Sequence, residues 1–128
     1  MHRVVPWIPA AVWAAVLFVA SSQATLGVNL SGGRDKLAHF GAYLILGFLL
    51  TRATAQLRLP VFLAIGAGIL YGFLDELHQS TVPGRSAEVA DWVADALGTI
   101  VGAILYLVVW RLRAGSEPTP EPAKCRTT

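Results

Sequence analysis

The sequence predicts an all-α integral membrane protein, a four-helix bundle of transmembrane helices, on three observations. Hydrophobic residues make up 55% of the 128-residue chain and charged residues 14%, with a mean hydropathy of +0.57, a balance too apolar for an ordinary soluble domain. Four apolar stretches fall at about 4–26, 37–54, 59–79 and 89–110, and a span needs about 20 helical residues to cross a hydrocarbon layer of about 30 Å. The segments between them carry turn and charge signals, and with four spans only short loops and a tail remain, so there is no room for a soluble domain.

The first stretch opens with Pro6 and Pro9, positions at a helix start where a missing amide proton costs little. His2-Arg3, the apolar run and Ser22-Gln23-Ala24 also have the form of a secretory signal with a small-residue cleavage site. The run is longer than a signal's apolar region and three more apolar stretches follow, so it is expected to stay as a helix. The connection 27–34, with Asn29, Ser31, Gly32 and Gly33, reads as a flexible loop. Pro60 opens the third stretch as Pro6 does the first. Pro83-Gly84, before the fourth, fits the central pair of a type II turn. After Arg113 the chain turns abruptly polar and proline-rich, and 114–128 is expected to be a disordered tail.

Charge sets orientation rather than partners. The net charge of +2 and pI near 9.0 come from scattered basic residues bordering apolar segments, which excludes a nucleic-acid interface and points to topology. With the amino terminus inside, Arg3, Arg52, Arg58, Arg111, Arg113, Lys124 and Arg126 lie inside and Arg34, Lys36 and Arg85 outside, so both termini are expected in the cytoplasm. Trp7 and Trp110 then fall at the inner interface and Trp92 near the outer one. The single cysteine, Cys125, lies in the tail and rules out an internal disulfide or a cysteine metal site.

Alternation of spans brings together the polar start of the second helix, the polar end of the third and the polar start of the fourth. Asp35, His39 and Ala42 or Tyr43 share one face. Tyr71, Asp75 and Gln79 form a stripe with Glu76 beside it, and Asp91, Asp95, Gly98 and Gly102 follow one seam. The spacing Gly68/Gly72 and Gly98/Gly102 permits close helix packing, and pairing these two motifs would draw Asp75 towards Asp91. Ionisable groups at a span's centre cost about 2.5–3.5 kcal/mol each, so such a cluster is expected to face itself or water. Its carboxylates outnumber its bases Arg34, Lys36 and Arg85, which invites a cation or protonation.

Several of these residues also have plain structural explanations. Asp35 and Ser86 fall where N-caps are expected, and Glu88 lies in a first turn, where the helix dipole favours a carboxylate. Arg34 and Lys36 read equally as interfacial anchors, and Tyr43 and Tyr71 as core aromatics with one hydroxyl partner. His39 and His78 stay open between structural, ligand and acid–base roles. Asp75, Glu76, Gln79, Arg85, Asp91 and Asp95 are the hardest to explain by structure alone.

Asp35-Lys36 with His39-Phe40 and Tyr43, Asp75-Glu76 with Gln79, Pro83-Gly84-Arg85-Ser86, and Asp91 with Gly98 and Gly102 resemble the VanZ-like family of bacterial polytopic membrane proteins. The resemblance covers helices two to four and implies a VanZ-like transmembrane domain over 1–113, a bacterial cytoplasmic membrane location, and an association with low-level tolerance of the glycopeptide teicoplanin. By position, Asp35, Lys36, His39, Asp75, Glu76, Gln79, Arg85 and Asp91 match the family's pattern. Asp95 departs from it, standing where members usually have asparagine and adding a negative charge.

Three functions follow as expectations. In the first, the outward cluster engages a membrane lipid head group or a lipid-linked cell-wall precursor, Arg85 and Lys36 holding phosphate while carboxylates accept from hydroxyl or ammonium. In the second, a membrane-embedded enzyme acts on a phosphate-containing lipid, with His39 or Glu76 as base, Asp75 or Asp91 as its partner or as a metal ligand, or with Mg²⁺ held by the acidic residues and substrate phosphate. A transporter ranks last, because the inner halves of helices two to four are nearly all apolar. The pattern names no catalytic residue, cofactor, metal or oligomeric state.

Overall fold

The computed structural model describes residues 3–23 and 33–115, and within them the chain is all-helical. A 3₁₀ turn at Val5–Trp7 leads into α1 (Ile8–Ser21), followed by α2 (Arg34–Gln56), α3 (Val61–Gln79) and α4 (Val89–Ala114). The expected end of the first stretch, 24–26, most of the connection 27–34 and nearly all of the tail lie outside the described residues. α2, α3 and α4 are long and apolar enough to cross a membrane. The apolar helix Val5–Ser21 is shorter than the other three.

Two boundaries move from expectation. α2 begins at Arg34 rather than near Leu37, so Arg34, Asp35 and Lys36 form its first turn, and α4 continues past Trp110 to Ala114. The N-caps are Gly33 and Glu88, neither with a side-chain cap bond, so Asp35 and Ser86 are not the caps their residue types predict. The turn before α4 takes its expected form: Gly84 has φ +84° and the Arg85 N–H donates to the Val82 carbonyl at 3.1 Å, as a type II turn requires.

Polarity is inverted relative to a water-soluble bundle. Val12, Val16, Phe62, Leu70, Phe73, Leu77, Val93, Leu97 and Ile104 are exposed on the outside, while Thr51, Thr54, Asp75, Glu76, Gln79, Asp91, Asp95 and Thr99 are buried. An apolar exterior around a polar interior is what a hydrocarbon solvent selects. The chain is a membrane protein in architecture as in composition.

The most extensive packing joins α2 to α4. Close approach of backbones explains it: a Cβ at Gly98 would strike the Phe40 carbonyl, one at Gly102 the Leu44 carbonyl, and one at Gly47 the Thr99 carbonyl. Gly68 and Gly72 instead face the side chains of Thr99 and Asp95. The expected pairing of the two glycine motifs is therefore corrected: Gly98 and Gly102 pack on α2, with the unforeseen Gly47 on the other side of the seam. The Asp75 carboxylate bonds with Gln79, and that of Asp91 with Lys36.

α1 lies against α2 and α3 through Ala10, Leu17 and Ser21. The Trp13 indole donates to the Ala42 carbonyl at 2.9 Å and the Tyr71 hydroxyl to the Ala14 carbonyl at 2.6 Å. His78 stacks on Phe18 and meets the Ser22 hydroxyl at 2.9 Å, which gives it a structural role between α3 and α1. Trp92, expected near an interface, donates to the Ile69 carbonyl at 3.2 Å and ties α4 to α3.

Candidate functional site

The end of α1, the start of α2, the end of α3 and the start of α4 meet at one end of the bundle, and all nine candidate residues lie there: Asp35, Lys36, His39, Asp75, Glu76, Gln79, Arg85, Asp91 and Asp95. They divide into a rim, an inner cluster and a cleft.

At the rim, the Lys36 ammonium lies 3.3 Å from Asp35, 3.0 Å from Glu88 and 3.0 Å from Asp91. One cation thus sits among three carboxylates and joins the first turns of α2 and α4. Its three donors are all engaged, so Lys36 is not the free phosphate ligand the sequence allowed.

One turn deeper, the His39 ring nitrogen Nδ1 lies 2.9 Å from Asp95 Oδ1 and 3.9 Å from Glu76 Oε1. Asp95 is fully buried and Glu76 nearly so. The Glu88 backbone N–H donates to Glu76 Oε2 at 2.9 Å, which fixes that carboxylate from the turn above. Glu76 Oε1 and Asp95 Oδ2 are buried and have no hydrogen-bond partner among the described residues.

The cleft, of about 160 Å³, opens between α1, α2, α3 and the turn before α4. Leu17, Ala20 and Ser21 form one wall; Asp35, His39 and Tyr43 another; Asp75, Gln79 and Arg85 the third. Gln79 donates to Asp75 Oδ2 at 3.2 Å, and Asp75 Oδ1 and the Tyr43 hydroxyl are buried with no hydrogen-bond partner among the described residues. Arg85 directs one N–H to the Ser21 carbonyl at 3.3 Å. The space suits several waters or a small polar group. Chemically the cleft is rich in acceptors and holds one guanidinium.

The wall from α1 is what charge-based reading misses, since α1 has no titratable residue. Its signal is the spacing of Leu17, Ala20 and Ser21, three and four residues apart on one helical face.

The family model described as VanZ/LLP1 matches residues 6–111. The chain belongs to the VanZ family. The match includes α1 and therefore extends beyond the helices whose residues carry the resemblance, and it covers every part of this VanZ-like site from Leu17 to Asp95. No curated protein and no solved structure matches the chain.

Proposed function

We propose that this VanZ-like protein resides in the bacterial cytoplasmic membrane with both termini inside, and that its polar end binds the head group of an envelope lipid or a lipid-linked cell-wall precursor. The observation that carries the reading is the cleft's chemistry: Asp75 Oδ1 and the Tyr43 hydroxyl, buried with no partner among the described residues, in the same cleft as the Arg85 guanidinium. A ligand with ammonium or hydroxyl donors next to a phosphate satisfies both sides, and charge-assisted bonds to Arg and carboxylate are the strong kind. Occupation of a cell-wall precursor is the route by which such a protein would alter teicoplanin tolerance.

Orientation rests on the basic asymmetry and is tested through the lone thiol Cys125. An impermeant maleimide added to intact cells should leave it unlabelled, and labelling would reverse the topology. Binding is tested by native mass spectrometry of the full chain with phosphatidylethanolamine, phosphatidylglycerol or an undecaprenyl-linked precursor. One bound lipid per chain is expected. Arg85→Gln and Asp75→Asn should each weaken retention about tenfold, the loss of roughly 1.4 kcal/mol expected when a charged hydrogen bond is weakened. Retention equal to the parent in both variants would overturn the reading.

A second reading, a membrane-embedded enzyme acting on a phosphate-containing lipid, is favoured by one contact. His39 lines the cleft while Asp95 holds its Nδ1, the arrangement of a general base with an orienting carboxylate. Release of phosphate or head group from the bound lipid distinguishes this reading from binding alone.

A further inference from the structure

We propose that His39, Glu76 and Asp95 form a binding site for one divalent transition ion of the Zn²⁺ class, with a ligand from each of α2, α3 and α4. Each residue brings one ligand atom to within 4.8 Å of the other two. Bonds of about 2.0–2.2 Å at tetrahedral angles place neighbouring ligands about 3.3 Å apart. The separations from His39 Nδ1, 2.9 Å to Asp95 Oδ1 and 3.9 Å to Glu76 Oε1, bracket that value.

The observation that separates this cluster from a mere gathering of acids is Glu76. Its side chain is only 7% exposed, Oε2 is fixed by the Glu88 N–H, and Oε1 points at His39 without a partner among the described residues. A carboxylate oriented from behind, with its other oxygen directed inward, has the form of a metal ligand held by an outer shell. Asp95 is 0% exposed and its Oδ2 is likewise unpartnered, so a second buried acceptor is left over. Two carboxylates this deep in a bundle need a balancing cation or a proton, and a bound cation supplies the first.

The rim shows what a closed acidic triad looks like in the same molecule. Asp35, Glu88 and Asp91 also bring ligand atoms to within 4.8 Å of one another, but Lys36 supplies their cation. No lysine or arginine makes an ion pair with Glu76 or Asp95 among the described residues. The donor set selects the ion. Imidazole nitrogen favours borderline transition metals, whereas Mg²⁺ prefers an octahedral shell of oxygens and retained waters. Three protein ligands also leave a coordination position for water or a ligand group. The site is argued from the inner cluster and does not rest on head-group binding.

The experiment is Zn²⁺ titration of the purified full-length chain in detergent, without added lipid, after chelator treatment and in a Cys125→Ser background so that no thiol competes. Calorimetry should give one Zn²⁺ per chain, accompanied by a higher thermal midpoint. His39→Gln and Glu76→Gln should each weaken affinity tenfold or more, since loss of even an outer-shell partner costs about 10–100-fold; His78→Gln should not. Mg²⁺ at equal concentration should leave the midpoint unchanged. X-ray absorption of the Zn²⁺-loaded Cys125→Ser chain should show one imidazole with oxygen ligands, a result that needs no folded variant. A shell without imidazole, no stoichiometric binding, undiminished affinity in His39→Gln, or equal competition by Mg²⁺ would overturn the site. Lipid binding that persists without metal would leave the head-group reading standing, and metal binding with no lipid retained would leave the ion site standing alone.

Discussion

The two acidic clusters at the polar end differ in how their charge is balanced. The rim carries Asp35, Glu88 and Asp91 around the Lys36 ammonium, with all contacts between 3.0 and 3.3 Å. The inner cluster carries Glu76 and Asp95 beside an imidazole, whose charge is conditional. At the rim the balancing cation is covalently part of the chain, partly exposed, and bonded to all three carboxylates. Deeper in, buried oxygens have no partner among the described residues. The rim is a self-contained clamp between α2 and α4, and the inner cluster and the cleft beside it are where outside chemistry can be accepted.

Both clusters depend on the closeness of α2 and α4, so the largest expected effect comes from parting them. Gly102→Leu drives a side chain into the Leu44 carbonyl and the Phe48 amide, backbone atoms that cannot step aside. Folded yield in detergent should collapse. Gly66→Leu, where an added side chain meets open space, should leave yield unchanged. Equal yields for the two variants would remove the glycine seam as the foundation of either cluster.

The polar convergence was legible in the sequence because charges are scarce in apolar helices and alternation of spans puts α2's start, α3's end and α4's start on one side. Its internal division was not. Whether Lys36 bonds with rim carboxylates or reaches a ligand depends on helix rotation and rotamer, which residue spacing does not specify. The partner of Gly98 and Gly102 was equally hidden, because a small-residue motif allows close approach without naming the other helix, and α2 answers it with the single Gly47 rather than a matching pair. The α1 wall leaves no charge signature in the sequence, because Leu17, Ala20 and Ser21 are uncharged although they enclose the cleft.

The smallest effects are expected at the rim itself, and their ranking tests whether it is a clamp. Lys36→Met removes the cation shared by three carboxylates and leaves Asp91, 9% exposed at its side chain, without the partner that offsets its burial. The thermal midpoint should fall, with Zn²⁺ affinity largely kept. Glu88→Gln removes one of the three acceptors around Lys36, and that side chain is 49% exposed, so solvent replaces most of what is lost. Asp35 and Asp91 still hold the ammonium. The contact of Glu88 with the inner cluster is made by its backbone N–H to Glu76 Oε2, which a glutamine retains. Glu88→Gln should therefore melt within error of the parent and keep its lipid and metal binding, while Lys36→Met melts lower. If instead Glu88→Gln lowers the midpoint as far as Lys36→Met does, the three acceptors are not redundant. If Glu88→Gln weakens Zn²⁺ binding at an unchanged midpoint, the Glu88 carboxylate belongs to the inner chemistry and the boundary between rim and inner cluster is misplaced.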